Sequence, residues 1–137
     1  MSKPKHIFLV DDEDVFRFLV KKTINKTEFI GDTMEFGNGL MCLEYLREHA
    51  MSEDLLPEII FLDLSMPVMD GWDFLEAFRK LKASIKKKIA VYIMSSSISP
   101  DDMNRAKESE DVSGFLIKPI TAPQLQKVIQ EVEATAA

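Results

Sequence analysis

The sequence lacks the cysteines for a disulfide and the long apolar segments for a membrane anchor, so its stability must come from a hydrophobic core. Cys42 is the only cysteine among 137 residues, which excludes an intrachain disulfide and fits a reducing compartment. No apolar run approaches the roughly 18 residues of a membrane-spanning helix. The start of the chain, MSKPKHIFLV, is followed at once by acidic residues and does not resemble a secretory signal. These absences predict a soluble, cytoplasmic protein.

Basic charge is also scarce. The 23 acidic residues outnumber 17 Lys and Arg residues, and the formal net charge is −6. Binding to nucleic acid or to an anionic membrane requires a basic face, so neither is expected as the main partner. Hydrophobic residues make up 46% of the chain, which is enough for an ordinary core. Length and composition predict one domain over residues 1–137, with a core of about 5–132.

Short apolar runs recur along the chain and predict strands. They cover residues 6–10, 33–36, 58–62, 90–94 and 114–117. Near-continuous apolar runs are typical of strands covered on both faces, as in a parallel sheet packed between helices. The run at 33–36 is the weakest.

The stretches between those runs carry apolar residues at helical spacing. They cover residues 14–27, 39–50, 71–82, 100–110 and 121–134. In the first stretch we expect a buried stripe of Phe16, Leu19, Val20 and Thr23. Thr121 and Gln124 have the spacing of a capping box, which marks the start of the last helix. Successive strand–helix units predict an α/β fold with a doubly wound parallel sheet.

Polar residues follow each of the four stronger runs, where the predicted strand ends. They are Asp11 and Asp12, then Asp63, then Ser95 to Ser97, then Lys118 and Pro119. The carboxyl ends of parallel strands share one edge, where open α/β sheets bind ligands. We therefore expect these carboxylates, hydroxyls and the ammonium group to converge at one site.

Three carboxylates at one edge repel one another. Two unit charges 4 Å apart interact by roughly 4 kcal/mol at an effective dielectric constant of 20, so such a cluster needs a cation. Oxygen ligands without His or Cys favour Mg²⁺ or Ca²⁺ over Zn²⁺, and a few carboxylates with waters suit Mg²⁺, especially beside a phosphate. With Lys118 and the hydroxyl of Ser95 to bind phosphoryl oxygens, Asp63 would be equipped to attack phosphorus.

Together these motifs resemble the receiver domain of two-component response regulators. The resemblance rests on DDED at 11–14, DLSMPVMDG at 63–71, SSS at 95–97 and KP at 118–119. It extends from Lys5 to about Val132. It implies a flavodoxin-like, five-stranded parallel sheet of order 2-1-3-4-5 flanked by five helices, a single receiver domain and no output domain.

The family implies a role for each matching residue. Asp63 resembles the phosphoacceptor. Asp12 resembles the direct metal ligand, and Asp11 the acid that acts on the metal largely through water. The backbone carbonyl of Ser65 would be the third protein ligand of Mg²⁺. Ser95 resembles the hydroxyl residue that closes on the phosphoryl group.

The end of the chain carries the remaining family positions. Lys118 resembles the family's invariant lysine, and its peptide bond to Pro119 is expected to be cis. Phe115 occupies the position of the switch aromatic, which turns inward when Ser95 moves, but it is explained equally well as core filler. Ser96 fills a position where a small residue leaves the phosphoryl site accessible.

Two serines suggest how long a phosphoryl group would persist. Ser65 stands two residues after Asp63, and Ser97 two residues after Ser95, at positions that influence hydrolysis in the family. Neither serine is an acid or an amide able to position water well. The hypothesis that follows is a relatively long-lived phosphoryl group.

Taken singly, the same residues have structural explanations. The acids at 11–14 could favour a helix start through the macrodipole, and Asp63 could cap a strand. Ser95 to Ser97 could form a loop and Lys118 could be solvated. Lys86 to Lys88 are expected to form a solvated loop without a function in the site.

The resemblance implies a signalling protein rather than an enzyme. It would accept a phosphoryl group from a histidine kinase or phosphotransfer protein and act on an unidentified protein partner, as a monomer or a weak, phosphorylation-dependent dimer. One alternative is a receiver-like interaction module regulated without phosphorylation. Another is an Mg²⁺-dependent aspartyl-phosphate phosphatase of the haloacid dehalogenase type, although such enzymes carry a second Asp where this chain has Ser65.

Overall fold

The chain folds into a parallel sheet between two layers of helices. A computed structural model describes residues 3–96 and 99–135. The strands are β1 (His6–Val10), β2 (Asp32–Phe36), β3 (Ile59–Asp63), β4 (Ala90–Ser95) and β5 (Gly114–Ile117). The α-helices are α1 (Asp14–Ile24), α2 (Gly39–Glu48), α3 (Gly71–Leu81), α4 (Pro100–Glu108) and α5 (Ala122–Thr135). The strands pair in parallel in the order β2-β1-β3-β4-β5, which confirms the predicted fold class and strand order.

Strand β3 lies at the centre of the sheet, and all of its residues are buried. Alternate side chains of a strand point to opposite faces. Ile59 and Phe61 accordingly enter a core cluster shared with α1 and α5, whereas Ile60 and Leu62 enter a second cluster under α2, α3 and α4. Asp63 is the last residue of this strand and pairs in register with Met94.

Side-chain caps fix where the helices after the strands begin. Asp70 accepts a hydrogen bond from the amide of Asp73 at the start of α3, and Ser99 accepts one from Asp102 at the start of α4. At α5, Thr121 and Gln124 bond each other reciprocally, as the capping-box spacing predicts. Such caps satisfy amides that have no partner within the helix.

The predicted buried stripe of α1 is wrong in part. Leu19 is exposed and Thr23 only half-buried, whereas Val20 and Ile24 are buried and Phe16 packs beside them. The contact with α5 selects residues four apart along the helix, and the predicted stripe mixed spacings of three and four. The helix also ends at Ile24 rather than at residue 27.

Lys86 and Lys88 are exposed in a loop, as predicted, but the prediction is wrong for Lys87, whose side chain is largely removed from solvent. Its ammonium group pairs with Glu58 at 2.6 Å and donates hydrogen bonds to the carbonyls of Glu53 and Leu56. Glu58 in turn accepts from the amides of Lys5 and His6. Lys87 is therefore part of a polar network that joins the amino ends of β1 and β3.

None of the helices in the described residues is both long and apolar enough to cross a lipid bilayer.

A buried carboxylate attaches the segment after α4 to the end of α3. Asp111 is 8% exposed, and its two carboxylate oxygens accept hydrogen bonds from Lys82 at 2.9 Å and Arg79 at 3.2 Å. Burial opposes ionisation, but these hydrogen bonds and charges outweigh it and lower the pKa of Asp111. The lowered pKa means that the ionised carboxylate stabilises the fold.

We predict that Asp111→Asn destabilises the protein by about 1–3 kcal/mol at neutral pH, because two charge-assisted hydrogen bonds are lost. The folded-state pKa lies below the unfolded one, so this stabilisation is present above about pH 4 and is lost as the pH falls through the folded value. Urea unfolding of both proteins across this range measures the effect. Glu110→Gln, at the exposed neighbouring residue, is the matched control, and an equal loss in both variants would contradict the prediction.

Candidate functional site

The ends of four strands bring the predicted polar residues to one edge of the sheet. Asp11 directly follows β1, Asp63 ends β3, Ser95 ends β4 and Lys118 directly follows β5. The strand ladder continues past β5, since the amide of Lys118 donates to the carbonyl of Ser95 at 2.9 Å. The amide of Asp11 likewise donates to the carbonyl of Phe36, which closes β2.

Three carboxylates meet at this edge. One oxygen from each of Asp11, Asp12 and Asp63 lies within 4.8 Å of the others. Asp11 is fully buried and Asp63 is 5% exposed, whereas Asp12 faces solvent. Hard oxygen donors at this spacing, with one member open to water, fit a divalent cation that keeps some of its waters, as Mg²⁺ does.

Lys118 supplies the positive charge among these acids. Its ammonium nitrogen lies 2.8 Å from Asp11 and 3.9 Å from both Asp63 and Glu13. The second oxygen of Asp11 accepts from the amide of Glu13 at 2.8 Å, so both carboxylate oxygens of this buried acid are satisfied. The peptide bond from Lys118 to Pro119 is cis, as expected.

The carboxyl group of Asp63 has a higher pKa than an ordinary aspartate. Burial and the negative charge of Asp11 raise its pKa to about 6, against the opposing effects of Lys118 and the amide of Ser65, with a smaller contribution from Asp12. Its environment therefore disfavours the carboxylate when no cation is bound. A bound cation or an added positive group would reverse this preference.

The loop after Asp63 is closed tightly over the end of the strand. The amide of Gly71 donates to the carbonyl of Leu64 at 2.9 Å, and a Cβ at Gly71 would lie 2.7 Å from the carbonyl oxygen of Asp63. Only glycine allows the start of α3 to approach the strand so closely. The close approach explains why the first residue of α3 is a glycine.

A strained turn forms the exposed tip of that loop. Val68 has φ 72° and is 78% exposed, while Met69 donates to the carbonyl of Pro67 across it. A β-branched residue is disfavoured in this backbone region. Met66 is buried in the core, and Met69 packs against it, so the anchored ends of the turn hold Val68 in place.

Of the remaining predicted residues, Ser95 and Ser65 end or closely follow strands at this edge, and Phe115 lies within β5. Ser95 is 6% exposed at the end of β4, and Ser65 is exposed beside Asp63, with its amide 3.4 Å from one carboxylate oxygen. Phe115 is half-buried against the cluster under α2, α3 and α4, which fits either of its interpretations. Ser97 lies outside the described residues.

The sequence patterns did not indicate two side chains of α1 that touch the site. Arg17 donates a hydrogen bond to the carbonyl of Asp11 and pairs with Glu35 at 3.0 Å. The ring of Phe16 lies under the ammonium group of Lys118, 3.9 Å from ring centroid to nitrogen. Arg17 could have been noticed as the only basic residue in 11–20, but helical spacing alone gave Phe16 no role beyond packing.

The first turn of α3 also contacts α4. The indole N–H of Trp72 donates to Asp102 at 3.1 Å, and the guanidinium of Arg105 stacks over the indole ring at 4.4 Å. Within α4, Ala106 is buried, while most of its other side chains are exposed or half-buried. Two side chains of α4 therefore contact the residue that directly follows Gly71.

Comparison with known proteins gives a consistent result. The family model described as the response regulator receiver domain matches residues 7–130. The probable methanogenesis regulatory protein FilR2 of Methanothrix harundinacea is 30% identical, over 95% of this chain and 82% of that protein. The chemotaxis protein CheY of Halobacterium salinarum is 25% identical, over 93% and 96%. The crystal structure of a two-component response regulator from Cytophaga hutchinsonii superposes with a TM-score of 0.87 at 28% identity, covering 97% of this chain and 99% of that one.

The raised pKa of Asp63 gives a test of the site without any cation. Because the folded pKa of about 6 exceeds the unfolded one, ionisation of Asp63 costs stability as the pH rises from about 4 through 6. We predict that in EDTA Asp63→Asn raises the free energy of unfolding by about 1–2 kcal/mol at neutral pH and by little near pH 4. Urea unfolding measures this difference.

The exposed acid Asp14, in the same acid-rich segment, provides the control variant Asp14→Asn. We expect no comparable gain from it. If Asp63→Asn raised the free energy of unfolding equally at acidic and neutral pH, the raised pKa of Asp63 would be contradicted.

Proposed function

The chain belongs to the response regulator receiver family, and we propose that it is a phosphorylation-switched signalling module whose phosphoacceptor is Asp63. In this proposal it takes the phosphoryl group from a histidine kinase or phosphotransfer protein. It then acts through a protein partner rather than by turnover of a substrate. Family membership supports the class of function, and the chemistry of the site supports the assignment of residues.

One observation carries the assignment of Asp63. It is the carboxylate at the end of the central strand, and it lies between two further acids and an ammonium group that can neutralise incoming phosphoryl oxygens. A carboxylate in this setting can act as a nucleophile toward phosphorus because charge on the transferred group is neutralised where it develops. A strand-end cap would need neither Lys118 nor Asp12.

The proposed cation is Mg²⁺. Asp11, Asp12, Asp63 and the backbone carbonyl of Ser65 would hold it. When bound, it would neutralise charge on the phosphoryl oxygens as a Lewis acid. The fit rests on the oxygen-only donor set and on the exposure of Asp12, which leaves room for water ligands.

In the proposed transfer step, the phosphoryl group moves from a phosphohistidine of the donor protein to Asp63. A carboxylate oxygen of Asp63 attacks the phosphorus of a phosphohistidine and forms an O–P bond as the N–P bond breaks. The electron pair of that bond returns to the imidazole nitrogen, which takes a proton from solvent. Lys118 binds a phosphoryl oxygen from one side, and the hydroxyl of Ser95 binds the phosphoryl group from another side.

The output would pass through the face built from α4, β5 and α5. In the proposal, Ser95 moves toward the phosphoryl group and Phe115 follows it inward. Phe115 is half-buried beside the second core cluster, so its ring can become either more buried or more exposed. The contacts of Trp72 with Asp102 and Arg105 offer α4 a direct link to the loop after Asp63.

We predict that acetyl phosphate with Mg²⁺ forms a single phosphoryl adduct on the protein, detected by intact mass. The adduct should be lost in EDTA and in Asp63→Asn, because both remove a component of the proposed site. Asp101→Asn, an exposed acid at the start of α4, should label like the wild type. Absence of an adduct where a known receiver domain labels would favour an interaction module regulated without phosphorylation.

The phosphoryl lifetime tests the role proposed for Ser65. An asparagine there could position the attacking water, so Ser65→Asn should dephosphorylate faster, by about two- to tenfold. Decay of the adduct after removal of acetyl phosphate gives the rates. Val68→Asn places the same side chain at the exposed tip of the loop and should leave the lifetime unchanged. If Ser65→Asn is no faster than the wild type, the hypothesis of a long lifetime set by Ser65 fails.

A further inference from the structure

Phe16 occupies a position that its part in the core does not explain. It lies in the first turn of α1, half-buried against the cluster shared by α1 and α5. Its ring centroid is 3.9 Å from the ammonium nitrogen of Lys118, well within the distance of about 6 Å at which a cation interacts with a ring face. The interaction joins the first helix to the residue that follows the last strand.

The ring and the acids lie around the same ammonium group. Lys118 contacts Asp11, Asp63 and Glu13 through its charge, and its side chain is 11% exposed. An aromatic ring offers the cation favourable electrostatics but takes no proton and makes no competing salt bridge. Phe16 therefore stabilises the ammonium group without drawing it away from the carboxylates.

The side chain of Lys118 also lines an apolar groove next to Phe16. An apolar groove of about 270 Å³ lies between α1 and the loop before α5, lined by Phe16, Leu19, Val20, Thr23, Lys118, Pro119 and Ile120. The apolar groove does not suit the charged end of Lys118, but its flexible four-carbon stem lines the groove beside the ring of Phe16. The ring therefore restricts the conformations of Lys118 as well as stabilising its charge.

We propose that Phe16 is a positioning residue for phosphoryl transfer, which holds the ammonium group of Lys118 at the carboxylate edge by a cation–π interaction. The inference rests on the proposed function, in which Lys118 binds a phosphoryl oxygen. It adds a residue outside the four strand ends that the family motifs identify. Phe16 touches neither the proposed metal nor the phosphoryl group, so it acts only through Lys118.

The same helix supplies a matched control. Phe18 also has a lysine over its ring, with Lys22 nitrogen 5.2 Å from the centroid, but Phe18 is exposed. Phe18→Leu removes an aromatic ring and a cation–π contact from α1 without touching Lys118. Its effects measure what loss of a ring does to the helix alone.

The first experiment reads the position of Lys118 in metal-free protein. NMR of the wild type in EDTA should show the Lys118 side-chain methylene next to the ammonium group shifted upfield by the ring current of Phe16. Phe16→Leu should abolish this shift, Phe16→Tyr should retain it and Phe18→Leu should leave it unchanged. An unshifted methylene in the wild type would overturn the inference.

The second experiment measures the rate of phosphorylation by acetyl phosphate at saturating Mg²⁺. Phe16→Leu should slow labelling by about three- to tenfold, the value of a partly buried cation–π contact, with unchanged Mg²⁺ affinity. Phe16→Tyr should restore the rate and Phe18→Leu should match the wild type. Pentafluorophenylalanine at position 16 keeps the shape of the ring but reverses its electrostatics, so it should slow labelling without unfolding the protein.

The outcomes separate this inference from the proposed function. A wild type that does not label contradicts the proposed function, and the NMR shift still decides whether the ring holds Lys118. A wild type that labels, with Phe16→Leu and the fluorinated variant equally fast, overturns the positioning role. A slow rate of Phe16→Leu that returns to the wild-type rate when the Mg²⁺ concentration is raised further would also overturn it, because the effect would then lie in the carboxylates.

Discussion

The ion pair between Lys118 and Asp11 is the contact on which the functional edge depends. It joins the residue after the last strand to the residue after the first, through a nitrogen–oxygen distance of 2.8 Å. Asp11 has no exposed surface, and a buried carboxylate without a partner is costly. Lys118 meets that requirement while its ammonium group also faces Asp63. The order of the strands places β1 beside β3, which brings Asp11 and Asp63 together, and the long side chain of Lys118 reaches both acids from the end of β5.

The acidic cluster at this edge concentrates negative charge. Asp11, Asp12 and Asp63 lie close together beside the ammonium group of Lys118, and burial together with the negative charge of Asp11 raises the pKa of Asp63. A divalent cation, or the phosphoryl group proposed for Asp63, would change this charge balance and so couple the protonation of Asp63 to ligand binding. The close approach of Gly71 to the carbonyl of Asp63 fixes how the backbone leaves the central strand.

Sequence patterns predicted the elements whose cause is local or periodic. Apolar runs predicted the strands, caps marked the helix starts, and the rule that parallel strands share an edge brought Asp11, Asp63 and Lys118 together. What the patterns missed depends on contacts between distant segments. Packing against α5 buries Val20 and Ile24 and leaves Leu19 exposed, and Lys87 pairs with a carboxylate far away in the sequence rather than with solvent. Phe16 could not be assigned to Lys118 because nothing local to α1 indicates which side chain will lie over its ring.

The sheet divides the apolar interior into two separate cores, one under α1 and α5 and the other under α2, α3 and α4. Packing changes in one core do not have to propagate through shared contacts into the other, because the backbone of the sheet stands between them. Free energies of substitution on opposite faces should therefore add, whereas those on the same face should couple. For the evolution of such a chain, this separation means that mutation can remodel one layer of helices while the packing of the opposite layer is kept.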